Sequence, residues 1–303
     1  MSKIVVVGSI SMDLVMRTKR IPEGGETIFG DSFNIVPGGK GANQAVAIGR
    51  LSSVEDNIYI FGNVGEDIFS ADLLSNLQNN DISTAYVGTV PQSTGVAQIT
   101  LYGGDNRIIY YPGANNLVKT NDWKNEWKLL SDASIVVLQN EIPHEANLSI
   151  AKFCQENQVK VLYNPAPARE TDKEMIPFCD FITPNEHECS ELFPDKNLEE
   201  VIKSYPNKMI VTLGVEGSIY YDGTAVKKIP AIKAEVVDTT GAGDTFNGAF
   251  AYAISKGKEM NIALSFATIA SHLSVQRFGA QGGMPSLKEI KEHFGYEETW
   301  DFK

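Results

Sequence analysis

Ile4–Val7 is an unbroken run of β-branched apolar residues closed by Gly8. A strand with no polar alternation is one buried on both faces, as in the middle of a parallel sheet. Comparable apolar runs recur at Ile58–Phe61, Ile135–Leu138, Val159–Leu162, Phe181–Thr183 and Met209–Leu213. Helical stretches are predicted between several of them, at Asn43–Leu51, Ala71–Leu77, Glu145–Glu156 and Glu186–Leu192. Strand and helix alternating in this way predict an α/β fold: a doubly wound, mostly parallel central sheet with helices on both faces. The C-terminal third reads as helical. Phe246, Ala249, Phe250, Ala253 and Ile254 form one stripe along Gly241–Ile254, and Asn261–Leu273 is apolar nearly all round, as a buried helix is.

Two regions break the alternation. Asp13–Arg17 and Thr27–Val36 flank the turn Ile21–Gly25 with no helix between them, and Gly95–Leu101 and Arg107–Tyr111 flank Gly103–Asn106. Four short strands, taken as antiparallel, are expected to form a small sheet outside the main one: a β lid inserted at about 13–36 and 95–111. The plainer alternative is an antiparallel extension of the main sheet. No repeat or linker-like tract interrupts the chain, so residues 1–303 read as one α/β domain carrying this lid.

Charge and cysteine usage narrow the partners. With 26 Lys and Arg against 38 Asp and Glu, the 303-residue chain has a formal charge of −12. A nucleic-acid groove needs a basic face, so none is expected. A small phosphorylated ligand is still possible, because it needs only a local positive pocket. The four histidines (His144, His187, His272, His293) are scattered, and Cys154, Cys179 and Cys189 are odd in number and show no C-x-x-C spacing. Neither a zinc site nor a disulfide framework is suggested, and a reducing, cytoplasmic setting is expected. The apolar run in Met1–Gly8 is too short for a signal peptide, and no stretch reaches the ~18 apolar residues of a membrane helix.

Chemistry concentrates in two glycine-bearing segments. Asp238-Thr-Thr-Gly-Ala-Gly-Asp-Thr-Phe246 follows the extended stretch Ala234–Val237 and opens the best amphipathic helix in the chain. Bare glycines where a helix begins leave backbone N–H groups free to hold an anion, phosphate above all. Asp244, in the first turn, would repel that anion unless it has work to do, such as taking a proton from an attacking hydroxyl. A capping aspartate beside a Gly-rich turn is the simpler alternative. Neither a third glycine nor a Walker A pattern is present, so a dinucleotide fold and a P-loop are both excluded. Pro37-Gly-Gly-Lys-Gly-Ala-Asn-Gln-Ala45 suits a polyhydroxylated ligand, with Lys40 and Asn43 as fixed hydrogen-bonding groups; a structural turn is about as good a reading. Asp13, Glu141, Asn185 and Glu188 follow core strands, where open α/β sheets place ligands, and Thr212–Gly217 is a further Gly-bearing strand end.

Gly38-Gly-Lys-Gly-Ala-Asn43 and Asp238-Thr-Thr-Gly-Ala-Gly-Asp244, in this order and some two hundred residues apart, resemble the two signatures of the ribokinase-like family of sugar kinases. The resemblance runs over essentially the whole chain. It implies ATP-dependent phosphorylation of D-ribose at the 5-hydroxyl, giving ribose 5-phosphate and ADP, with Asp244 as general base and the amides of Gly241, Ala242 and Gly243 as an anion hole. Ser11, Asp13, Gly39, Lys40, Gly41, Asn43 and Glu141 match sugar-holding positions. Asn185, Thr212, Gly214, Gly217, Gly243 and Thr268 match nucleotide-contacting ones. Glu188, in Asn185-Glu-His-Glu188, resembles the family's Mg²⁺-organising acid, acting through water. Asp238 and Thr240, with carbonyls of Ser274, Arg277, Gly279 and Gly283, resemble its K⁺ site. The lid strands of the family often pair two subunits, which implies a homodimer. Two positions depart from the pattern: Ser11 replaces the usual asparagine, and Thr268 a histidine or asparagine near the adenine. A kinase of another pentose, a ketohexose or a nucleoside, or a non-catalytic sugar sensor, are the competing expectations.

Overall fold

The computed structural model describes residues 2–103, 105–120, 123 and 127–302. The strand β1 (Lys3–Val7) is followed by β2 (Ser11–Arg17), β3 (Ser32–Gly38), α1 (Lys40–Leu51), β4 (Asn57–Gly65), α2 (Ser70–Gln78) and β5 (Ile82–Val90). Next come β6 (Gly95–Tyr102), β7 (Asp105–Tyr111), α3 (Trp127–Ser131), β8 (Ile135–Gln139), α4 (His144–Glu156), β9 (Lys160–Asn164), β10 (Phe181–Ile182) and α5 (Glu186–Leu192). The chain continues through α6 (Leu198–Ser204), β11 (Ile210–Thr212), β12 (Ser218–Tyr221), β13 (Val226–Ile229), α7 (Ala242–Ser255), α8 (Met260–Ser274) and α9 (Leu287–Lys291).

Six strands pair in parallel in the order β10-β9-β8-β1-β4-β5. The chain winds outward from β1 in both directions, so the crevice at the C-terminal ends of the strands opens beside β1, at the topological switch point. Alternation along β1 divides the core. Ile4 and Val6 face α1, α7 and α8 on one side, and Val5 and Val7 face α4 and α6 on the other. Both faces are fully covered, which is why Ile4–Val7 carries no polar residue. The apolar α8 is buried as expected, and α7 packs along it.

Three strands lie outside the sequence reading. β5 is an edge strand whose Ser83, Thr84 and Thr89 interrupt the apolar run. β12 and β13 form an antiparallel unit with β11, which joins the main sheet through parallel bridges at Ile182–Met209 and Asn185–Thr212. Ala234–Val237 is in no strand; Val237 N instead donates to Val275 O at 2.8 Å.

The second sheet has the order β3-β2-β6-β7. Its outer pairs are antiparallel, as expected, but the central pair β2–β6 is parallel. The correction follows from connectivity. β2 leaves the end of β1 and β6 follows β5, both at the same edge of the main sheet, so both run outward in the same direction. Gly104, in the β6–β7 turn, lies outside the described residues. Directly paired residues share a face, so Asp13, its partner Ala97 and Tyr110 opposite Ala97 project together toward the body of the protein. Val15, Ala97 and Ile99 form a small core there. The opposite face leaves Phe33, Ile35, Ile109 and Tyr111 exposed.

Candidate active site

The sequence placed the first helix at Asn43; it begins at Lys40. Lys40 N donates to Glu141 Oε2 at 2.9 Å, and Ser9 Oγ donates to the same oxygen at 2.6 Å. A carboxylate from the end of β8 thus caps α1 and favours its N-terminal dipole. Gly39 precedes the helix at φ 88°, where a side chain would be strained. Gly41 lies directly on the backbone of Gly8, and a Cβ there would come within 2.5 Å of Gly8 C. These glycines bring the Lys40–Asn43 turn against the end of β1.

Asp244 enters from α7, whose N-cap Gly241 is left-handed at φ 76°. Its carboxylate is buried and accepts from Asn43 Nδ2 at Oδ2 (2.9 Å) and from Gln44 Nε2 at Oδ1 (3.0 Å). Each amide is oriented in turn. Gln139 Nε2 donates to Gln44 Oε1 at 2.7 Å; Gln281 Nε2 donates to Asn43 Oδ1 at 2.9 Å, and Asn76 Nδ2 to Gln281 Oε1 at 2.7 Å. Two donor chains therefore end on Asp244, one per oxygen. Each oxygen keeps a lone pair beyond the bond it accepts. Gln44, Gln139 and Gln281 were not singled out from sequence. The signal available was weak: Gln44 adjoins Asn43, and Gln139 ends an otherwise apolar strand.

The site gathers several acids around Lys40. Asp244, Glu141, Glu188 and Asp13 favour its ammonium over the opposing cost of burial. Asp13 is pushed up to about 7, by burial first and then by the charges of Glu141 and Asp244, with Lys40 opposing. Burial likewise raises Glu188. Asp13 lies under Gly38, where any Cβ would collide with its carboxylate. Carboxyl groups clustered around one ammonium suit a ligand rich in O–H groups. Ser11 is fully buried and receives Asn115 Nδ2 at 3.0 Å.

Around the α7 N-terminus, Ala242 N donates to Thr239 O at 3.2 Å. Among the described residues, nothing accepts from the amides of Gly241 and Gly243, and the space beside Gly243 is open. Asp238 lies behind this turn, accepting from Thr240 N and Gly279 N, both at 2.9 Å. Gly283 packs on the carbonyl of Ser274, where a Cβ would collide, and Gly283 N donates to Gly279 O. The structure thus brings the segments of Asp238, Thr240, Ser274, Gly279 and Gly283 together. Arg277 directs its guanidinium away, to Glu289, leaving only its carbonyl to contribute.

Asn185 and Glu188 form a reciprocal capping box on α5: Glu188 N donates to Asn185 Oδ1 and Asn185 N to Glu188 Oε2, each at 2.8 Å. Thr212 is bridged to Asn185 across the strand ends. Gly214 and Gly217, at φ 55° and 97°, turn the chain after Thr212. Thr268 is buried on α8, and its hydroxyl donates to Leu264 O at 2.8 Å. A cleft of about 500 Å³ separates Arg17, Tyr102 and Asn106 of the second sheet from Val236–Thr240 and Phe278.

The model of the pfkB family of carbohydrate kinases matches residues 1–287. The chain is 60% identical to a ribokinase from Lactococcus lactis, over 96% of each chain, and 43% identical to one from Bacillus subtilis, over 96% of this chain and 99% of that one. Its fold is similar to that of an Arabidopsis thaliana ribokinase solved with ribose and ATP, with a TM-score of 0.85, 32% identity and all of both chains covered.

Proposed function

The chain belongs to the pfkB family of carbohydrate kinases, and on that premise we propose that it transfers the γ-phosphoryl group of ATP to the 5-hydroxyl of D-ribose, giving ribose 5-phosphate and ADP. The observation that carries this reading is the set of buried Asp13 and Asp244 and half-buried Glu141 around Lys40, with Asp244 in the same helical turn as the free amides of Gly241 and Gly243. The carboxylates, the Gly39–Asn43 turn and Ser11 accept and orient the sugar hydroxyls. Asp244, held by Asn43 and Gln44, takes the proton of the 5-hydroxyl as its oxygen attacks phosphorus in line. The amides of Gly241 and Gly243 receive the charge that spreads over the phosphoryl oxygens. Ala242 joins them only by releasing Thr239 O.

Asn185, Thr212, Gly214, Gly217, Gly243 and Thr268 line the path for ATP beyond the strand ends. Glu188 has one oxygen in its capping box and the other available to hold the water shell of Mg²⁺. Asp238 and Thr240, with the carbonyls of Ser274, Arg277, Gly279 and Gly283, are suited to K⁺: Asp238 keeps lone pairs beyond its two amide bonds, and the loops around it are closely packed. When bound, these cations supply positive charge beside the phosphates in a protein whose own charge is −12.

The exposed apolar face of the second sheet, with Phe33, Ile35 and Ile109, supports a homodimer formed through the lid. No helix among the described residues is long and apolar enough to cross a membrane, and the three cysteines are free and buried, in keeping with a cytoplasmic enzyme. Turnover over a panel of ribose, fructose and adenosine, with and without K⁺, tests substrate and ion together. Preference for fructose or adenosine refutes the ribose reading. Asp244→Asn is expected to keep ATP binding while kcat falls ~10²–10⁴-fold; near-normal kcat removes Asp244 from the base role.

A further inference from the structure

Ser11 is a short, fully buried side chain on the inward face of the lid, and the structure shows which group stands beside it. Tyr110, on β7, lies opposite Ala97, which lies opposite Asp13, so the phenol shares the inward face of the lid with the acidic pocket. Asn115 holds the hydroxyls of Ser11 and Tyr110 together. Its Nδ2 donates to Tyr110 Oη and to Ser11 Oγ, each at 3.0 Å, while its Oδ1 accepts Ile10 N at 2.9 Å and fixes the amide. The two hydroxyls are 3.4 Å apart, a weak contact. Asn115 Nδ2, which also lies 3.2 Å from Ile10 O, shares two hydrogens among three acceptors and can only donate, so the phenolic hydrogen is available for a better acceptor. Burial, and then the charge of Glu141, push the phenol well above its ordinary range. Gly95 leaves room for this arrangement, since a Cβ there would strike Asn115 Nδ2 and approach Ser11 Oγ to 2.6 Å.

We propose that Tyr110 is a specificity-determining residue of this enzyme: its lid-borne hydroxyl donates to a ring hydroxyl of the pentose, one other than the 5-hydroxyl, beyond the reach of Ser11. The assignment rests on the sugar-kinase reading above. It makes the lid a reader of the sugar as well as a cover.

The test measures kcat and KM of the parent enzyme and of Tyr110→Phe and Ser11→Ala, each with ribose, 2-deoxyribose and 3-deoxyribose. For Tyr110→Phe, kcat/KM for ribose should fall about tenfold, mainly through KM, the scale of one hydrogen bond. One of the two deoxy sugars, the one lacking the hydroxyl that Tyr110 reads, should show no such fall. Ser11→Ala, which removes that residue's own sugar contact, should leave intact the discrimination at the hydroxyl that Tyr110 reads. A merely structural role would lower kcat/KM for all three sugars alike. That result overturns the assignment, as do an unchanged ribose kcat/KM in Tyr110→Phe and discrimination that is lost with Ser11→Ala instead. If Tyr110→Phe does not fold, Tyr110→Trp and calorimetric binding of the same sugars apply the same criterion. Failure of the parent enzyme to phosphorylate ribose refutes the broader reading, and this assignment with it, so the two failures are distinguishable.

Discussion

Asp13→Asn should stabilise the ligand-free protein, and by more at high pH than at low. Asp13 is buried beside Glu141 and Asp244, and its carboxyl is raised from 3.8 to about 7. Between those values the folded chain keeps a proton that the unfolded chain has released. Stability therefore falls as pH rises through this window, and the penalty is complete above about 7. A gap of about three pH units corresponds to about 4 kcal/mol, of which about 2 kcal/mol develops between pH 5.5 and 8.5. Asparagine carries no charge to bury, so the variant avoids the penalty. With an unfolding entropy of ~2.1 cal/mol/K per residue, about 2 kcal/mol is a Tm difference of about 3 °C for a chain of this length. Thermal unfolding of both proteins at pH 5.5 and 8.5, without sugar, is the assay. The Tm advantage of Asp13→Asn should widen by about that amount, while its KM for ribose rises. An advantage that is constant with pH would refute the idea that ionising Asp13 is what costs the empty site stability.

Two further outcomes follow from packing. Gly41→Ala places a methyl group against the Gly8 backbone, which has no rotamer with which to yield. A loss of ~1–3 kcal/mol in denaturant unfolding is expected, together with a raised KM for sugar, because Lys40 and Asn43 move with the turn. An unchanged midpoint would mean that the turn is looser than it looks. Ile35 and Ile109 occupy one row across the outer face of the lid, through Leu14 and Gln98. Ile35→Lys with Ile109→Lys should shift sedimentation from dimer to monomer; an unchanged sedimentation coefficient argues against pairing through this face.

Several features were legible locally. Ile4–Val7 and Ile135–Leu138 could only be strands buried on both faces, and each lies in the parallel sheet. The stripe that begins at Phe246 marked α7, and its glycines marked the amide-bearing turn. Both hairpins of the lid were visible because their turns are punctuated by glycine. β5 escaped because it lies at the sheet edge, half-buried and interrupted by Ser and Thr. The parallel pairing of β2 and β6 escaped because adjacency between segments some eighty residues apart depends on where both leave the main sheet.

By itself the sequence determined the strand and helix periodicity, the position of Asp244 at a helix start and the glycines that let two turns approach a ligand. These are properties of neighbouring residues, set by side-chain volume and backbone freedom. The tertiary structure alone decided that Glu141 caps a helix 101 residues earlier, that Gln44 and Gln281 supply the donor chains to Asp244, and that Tyr110 stands beside Ser11. Each is a hydrogen bond or near-contact between distant segments. Such contacts exist only after burial of the apolar runs has brought the strand ends to one edge, and polarity along the chain carries no record of which partners will meet there.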